Sequence, residues 1–191
     1  MSNKRSKTKN ILKKNLIELL KYNSIKDITV SRLSNASNIN RSTFYLHYKD
    51  IYQLLNEMED EVIETFKQIS ESHSTKDLQK NPHKILYDYF TYIKENKEIF
   101  MTLFNGKEHA PFINKIKLLI KRRCLHEWDK LFKVKEDPKF DFYYSFISSG
   151  FIGLLEIWQD NNFKESPEEL ADIALDLMLN GIGLFLNESE D

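Results

Sequence analysis

Between Asn38 and Asp50 the chain reads "NINRSTFYLHYKD", with an arginine, two hydroxyls, three aromatic rings, a histidine and a lysine, and few aliphatic side chains. Arg41, Ser42 and Thr43 carry hydrogen-bond donors suited to base edges and phosphates, and Tyr45, His47 and Lys49 supply more donors further along. Phe44 and Tyr48 are four residues apart, so on a helix they share a face and can anchor it. Tyr45 falls off that face.

Charge singles out the same end of the chain. Residues 1–50 hold eleven lysines and arginines against three acids, a net +8, whereas the remainder has 17 basic and 26 acidic residues, a net −9. A basic head on an acidic body points to a polyanion partner for the head. A solvated lysine-rich surface is the plain alternative. Lys4, Arg5, Lys7 and Lys9 lead the chain, as further phosphate or minor-groove contacts or as a solvated tail.

The elements that would position these residues are helical. Ile11, Leu12, Leu16, Ile17, Leu19 and Leu20 recur at three- and four-residue steps, the stripe of an amphipathic helix over about residues 7–22. Thr29 is a good N-cap for a short second helix with Val30, Leu33 and Ala36 on one face. Asn38, Ile39 and Asn40 form a tight connection, since Asn tolerates the left-handed conformation that stops one helix and can cap the next. A third short helix starts at Arg41, and a fourth follows Asp50. This is a helix-turn-helix, whose second helix leads into the DNA major groove with its N-terminal end.

Further on, the polar run of residues 70–81 reads as a linker, and helices are expected over about residues 82–96, 97–106, 111–132, 141–161 and 167–187. Ser166 begins the N-terminal signature "SPEEL" of the last one. No alternating strand pattern of useful length and no internal repeat occurs. The chain is read as all-α with about nine helices, in line with 41% hydrophobic and 30% charged residues, five glycines and four prolines.

The stretch "TVSRLSNASNINRSTFYLHY", residues 29–48, matches without a gap the helix-turn-helix pattern of the TetR family, and the chain resembles those transcriptional regulators in detail over about residues 7–55. The resemblance implies a DNA-binding head, residues 1–50, and a divergent dimerisation and effector-binding domain, residues 51–191. It implies a homodimer on a palindromic double-stranded operator. Thr29 would cap helix two and touch phosphate, Arg41, Ser42 and Thr43 would enter the groove, and Tyr45, His47 and Lys49 would hold the backbone. Two positions depart from the family. Ile51 stands where a phosphate-binding lysine is common, with Lys49 as a substitute, and Asn38 replaces the glycine of the turn.

The resemblance places the dimer interface on the last two helices. Gly150 and Gly153 permit close approach there, and Phe146, Phe151, Leu154, Ile157 and Trp158 supply apolar surface, matched by Ile173, Leu177, Gly181 and Leu184. The plain alternative is an intramolecular core. Tyr87, Phe90, Phe100, Phe104, Cys124, Trp128 and Phe132 could line a pocket for an apolar or aromatic small-molecule effector, or fill the core.

Other function classes find little support. No nucleophile elbow, zinc-protease motif or phosphate-binding glycine loop is present, so no enzymatic activity, cofactor or metal is expected. The remaining rival is a helical adaptor or coactivator of the same fold that acts through a protein partner. The single cysteine fits a reducing cytoplasm. The longest apolar stretch falls short of the roughly 20 residues of a membrane helix.

Overall fold

The computed structural model describes residues 2–104, 110–132 and 139–179; the side chains of residues 2–4, 79, 123–132 and 140 stand outside this description. Among the described residues there are ten α-helices and one 3-10 turn, and no strand. The chain divides into two compact units, Met1–Glu64 and Thr65–Asp191.

The first unit contains α1 (Ser2–Leu20), the 3-10 turn Ile25–Asp27, α2 (Val30–Ala36), α3 (Arg41–Tyr45) and most of α4 (Ile51–Ser72). Helix α1 begins well before the apolar stripe, so the basic residues ahead of it are helical rather than a loose tail. Leu12 and Leu16 from α1, Leu33 from α2, Phe44 from α3 and Leu54 and Met58 from α4 are buried together with Tyr48. Ala36, expected on the buried face of α2, is exposed, and Ser34 is buried instead. Because Ile51, Leu54, Leu55, Met58 and Val62 serve this core, the unit extends past the expected division after residue 50 to Glu64.

The second unit holds α5 (Thr75–Lys80), α6 (His83–Glu95), α7 (Lys97–Leu103), α8 (Ala110–Phe132), α9 (Lys139–Asp160) and α10 (Pro167–Leu179). Helix α5 lies within the polar run read as a linker. The run forms the end of α4 and then a separate helix, because Ser74 and Asp77 make a reciprocal capping box: Ser74 Oγ accepts from Asp77 N–H at 3.3 Å, and Asp77 Oδ2 from Ser74 N–H at 3.0 Å. The cap at Ser166 is built as expected, with Glu169 N–H donating to Ser166 Oγ at 3.1 Å and Ser166 N–H to Glu169 Oε2 at 2.7 Å.

Helix α6 packs on α10, and rings fill the core. Trp158 meets Phe90 at 5.7 Å and Phe163 at 5.0 Å between centroids, and Phe66, Tyr92 and Phe100 form a second cluster. The turn after α9 carries Asn162 and Phe163 at positive φ, 59° and 55°. Phe163 keeps this conformation because its buried ring sits on Trp158 and its N–H bonds the Trp158 carbonyl at 2.8 Å.

Candidate nucleic-acid interface

Short-range bonds build the helix-turn-helix. Thr29 Oγ1 accepts from Arg32 N–H at 3.1 Å and starts α2. Asn38 stops it at φ 51°. The Ile39 N–H then reaches the Ser34 carbonyl at 2.9 Å, and the Asn38 N–H reaches the Asn35 carbonyl at 3.1 Å, the paired bonds of a left-handed helix stop. Asn40 Oδ1 accepts from Ser42 N–H at 2.9 Å and starts α3. The Arg41 guanidinium donates to the Ser31 hydroxyl, tying α3 to α2.

At about 100° per residue, Arg41, Tyr45, Ser42 and Leu46 span an arc of about 140°, with Phe44 on the far side. All four are exposed, Tyr45 by 58% and Leu46 by 72%, while Phe44 and Tyr48 are buried. The Phe44 ring meets Tyr45 edge-on at 5.6 Å and Tyr48 at 5.8 Å. The arc is thereby mounted on two buried rings and presents a guanidinium, a hydroxyl, a phenol and one aliphatic side chain. Leu46 escapes a reading that looks for donors; its signal is the four-residue spacing from Ser42.

Thr29 and Lys49 are also exposed, and Thr43 and His47 are half-buried. The Nδ1 of His47 is buried with no hydrogen-bond partner. Burial, and then the charges of Arg5 and Lys9, hold its pKa below the usual 6.5, so the ring is neutral at neutral pH. Ile51 is 4% exposed: the position of the family's lysine serves the core, and Tyr52 and Gln53 take the exposed side. Asp50 Oδ1 accepts from Gln53 N–H and Gln53 Oε1 from Lys49 N–H, each at 2.7 Å, which fixes the start of α4.

The basic charge is thinner than the sequence count suggests. With the acids of α4 included, residues 1–64 hold eleven basic against eight acidic residues, a net +3. Lys9 Nζ meets Glu57 Oε2 at 2.6 Å, and Lys13 Nζ meets Glu57 Oε1 at 2.9 Å and Glu61 Oε1 at 2.5 Å. Tyr48 Oη donates to Glu57 Oε1 at 3.0 Å, and Lys9 lies 5.2 Å above the Tyr48 ring. Partial burial opposes ionisation of Glu57, but the bonds from Lys9, Lys13 and Tyr48 outweigh it and hold its pKa at about 2. Burial and the bond to Glu57 push the Tyr48 hydroxyl well above its usual 10. Arg5, Lys7, Lys14, Arg32 and Lys49 remain exposed.

The residues expected at a dimer interface fall on two stripes of α9. Phe146, Gly150, Gly153 and Ile157 lie within an arc of about 60°, which Phe142, not among the expected residues, extends to about 80°. Phe146 is 76% exposed, Phe142 and Ile157 are strongly exposed, and the two glycines have open space where a Cβ would stand. Phe151 and Trp158 lie about 120–140° further round. Phe151 stacks on Phe90, and Trp158 is 1% exposed in the core. Leu154, between the stripes, is half-buried, and on α10 Ile173 and Leu177 are exposed. Gly181 and Leu184 lie outside the described residues.

The expected effector-pocket residues are packed as rings. Phe90 joins the Trp158 cluster, Phe100 and Phe104 join a line from Phe66 to Phe112, and Tyr87 stacks on His83 at 6.5 Å. The side chains of Cys124, Trp128 and Phe132 lie outside the described residues. No described helix is long and apolar enough to cross a membrane, and no described group of His, Cys, Asp and Glu is arranged for a metal.

Solved structures share this arrangement of helices. A TetR transcriptional regulator from Streptococcus agalactiae is 22% identical, with a TM-score of 0.68 over 93% of this chain and 96% of that one. NalD, the secondary repressor of the MexAB-OprM multidrug efflux pump in Pseudomonas aeruginosa, is 15% identical, with a TM-score of 0.67 over 94% and 97%. The regulator FadR from Bacillus subtilis, solved in complex with stearoyl-CoA, is 15% identical, with a TM-score of 0.66 over 90% and 98%. At these identities the likeness is one of fold. No curated protein matches the chain at a significant level. The family model TetR_C_8, the C-terminal region of transcriptional regulators, matches residues 80–180, more than half of the chain. With its helix-turn-helix at residues 29–48 and this C-terminal region, the chain belongs to the TetR family of transcriptional regulators.

Proposed function

We propose that the protein is a cytoplasmic repressor that binds a palindromic operator as a homodimer and leaves it when a small apolar or aromatic effector binds the second unit. The observation that carries this reading is the exposed arc of Arg41, Ser42, Tyr45 and Leu46 on a helix anchored by Phe44. Arg41 and Ser42 lead α3 and would meet base edges, and the aliphatic Leu46 has only a thymine methyl to recognise in the major groove. Thr29, Thr43, Tyr45, His47 and Lys49 would contact the backbone. Two such helices about one DNA turn apart, ~34–36 Å, would read the two halves of an inverted repeat.

The exposed stripe of Phe142, Phe146 and Ile157 beside Gly150 and Gly153 supports self-association, since apolar side chains on one helical face next to glycines invite close packing. The aromatic content of α6 and α7 supports an apolar effector, which would act on the head through α4, the helix common to both units. The test is selection of bound duplexes from a random library at moderate salt, followed by a thermal-shift screen with acyl-CoA thioesters and aromatic compounds. Recovery of an inverted repeat, released by a ligand that raises the melting temperature, is the expected result. No enrichment of any repeat would favour the adaptor that acts through a protein partner, and a flat ligand response would make the rings plain core.

A further inference from the structure

Glu57 belongs to α4, outside the helix-turn-helix, yet it is bonded to two cations of α1 and to Tyr48 at the end of the recognition segment. Tyr48 touches Phe44, and Phe44 touches Tyr45 on the exposed arc. One carboxylate is thus linked, through two buried rings, to the surface that reads DNA. The same carboxylate holds Lys9 beside the Tyr48 ring, near enough to His47 for its charge to act on that ring, so that a Lys9 without an acidic partner would be available to a phosphate bound at His47.

We propose that Glu57 is a positioning and specificity residue for DNA recognition: it fixes the recognition helix through Tyr48 and holds Lys9 in an ion pair, so that this lysine adds nothing to sequence-independent binding. This rests on the DNA-binding reading above. Phosphate contacts give affinity without sequence information, and each neutralised phosphate steepens the salt dependence by ~0.9 log units per log of salt. A lysine already paired with a carboxylate releases few counterions from DNA. Lys13 has Glu61 as a second acid and stays paired when Glu57 is lost, so the change should come from one lysine.

The experiment measures binding of the full chain to its selected operator and to an unrelated duplex across a salt series, for wild type and Glu57→Gln. The amide keeps the shape and can still accept from Tyr48, but it cannot pair with Lys9. The expected result is a salt slope on the unrelated duplex steeper by about 0.9, non-specific affinity raised several-fold, and a ratio of specific to non-specific affinity lower by a similar factor. An unchanged ratio and slope in a variant with native circular dichroism would overturn the proposal, as would equal losses on both duplexes, the mark of a merely structural residue. If Glu57→Gln does not fold, Lys9→Gln decides: a wild-type slope on the unrelated duplex supports the pairing, and a slope shallower by about 0.9 overturns it. A wild type that selects no operator would instead remove the DNA-binding reading itself; the slope on the unrelated duplex keeps the two failures distinct.

Discussion

The recognition segment of the head and helix α9 of the body are both rich in aromatic residues, but they allocate them by different rules. In the segment of residues 41–48, the division between buried Phe44 and Tyr48 and exposed Tyr45 follows from spacing along one short helix and its extension. In α9 apolar side chains run almost all the way round. Trp158 goes into the core, where Phe90 and Phe163 receive it, and half-buried Phe151 stacks on Phe90, while Phe142, Phe146 and Ile157 are left outside. A local motif decides its own inside and outside; a helix with two apolar stripes has the choice made for it by distant residues.

Paired substitutions give the sharpest break in this comparison. Phe44→Ala and Trp158→Ala each empty a fully buried ring site, and each should lower stability by about 3–5 kcal/mol, read by denaturant unfolding. Tyr45→Ala, one residue from Phe44, should leave stability within about 0.5 kcal/mol while operator affinity falls at least tenfold. A Tyr45→Ala protein that folds and binds DNA like wild type would remove the recognition-helix assignment.

The second test concerns the outer stripe of α9. Phe146→Asp places a charge on a side chain that is 76% exposed in the single chain, so the isolated fold should tolerate it. Sedimentation at micromolar concentration should show wild type as a dimer and Phe146→Asp as a monomer, with operator affinity falling accordingly. A wild-type monomer under these conditions would end the dimer reading.

How far the sequence could be read follows the same divide. The cap at Thr29, the left-handed stop at Asn38 and the start of α3 at Asn40 were legible because each rests on bonds between residues two to five apart. Helix α5 was not, since its polar residues show no apolar period and only the Ser74–Asp77 box marks its start. The role of Lys9 was illegible for another reason. Its partner Glu57 lies 48 residues away, and a charge count cannot tell a cation that faces DNA from one that faces a carboxylate. Ile51 looked like a missing charge and is a core residue.

The acid in that network gives a third, smaller effect. Glu57 has its pKa lowered from 4.5 to about 2 in the folded state, so between those values the unfolded chain binds more protons. Its contribution to stability is complete above about pH 4.5 and disappears as pH falls toward 2. With its side chain 29% exposed, solvent screening limits this contribution to about 1–2 kcal/mol. Subtracting the stability of Glu57→Gln from that of wild type across pH isolates the term from the other carboxylates. A difference that stays flat from pH 5 to pH 2 would mean that the network does not fix the head.

The smallest effect separates the two roles of a single hydroxyl. Thr29 Oγ1 accepts from Arg32 N–H, and its exposed position also suits a phosphate contact. Thr29→Ala removes both and should cost about 1 kcal/mol of stability together with a drop in operator affinity. Thr29→Ser retains both and should behave as wild type. Thr29→Asp is the informative variant: aspartate caps a helix as well as threonine does and favours the positive end of its dipole, so stability should hold or rise slightly, but the carboxylate would repel the DNA backbone. Loss of operator binding in a protein of undiminished stability would place a phosphate at Thr29. Unchanged binding would confine the residue to capping and leave the backbone contacts to Tyr45, His47 and Lys49.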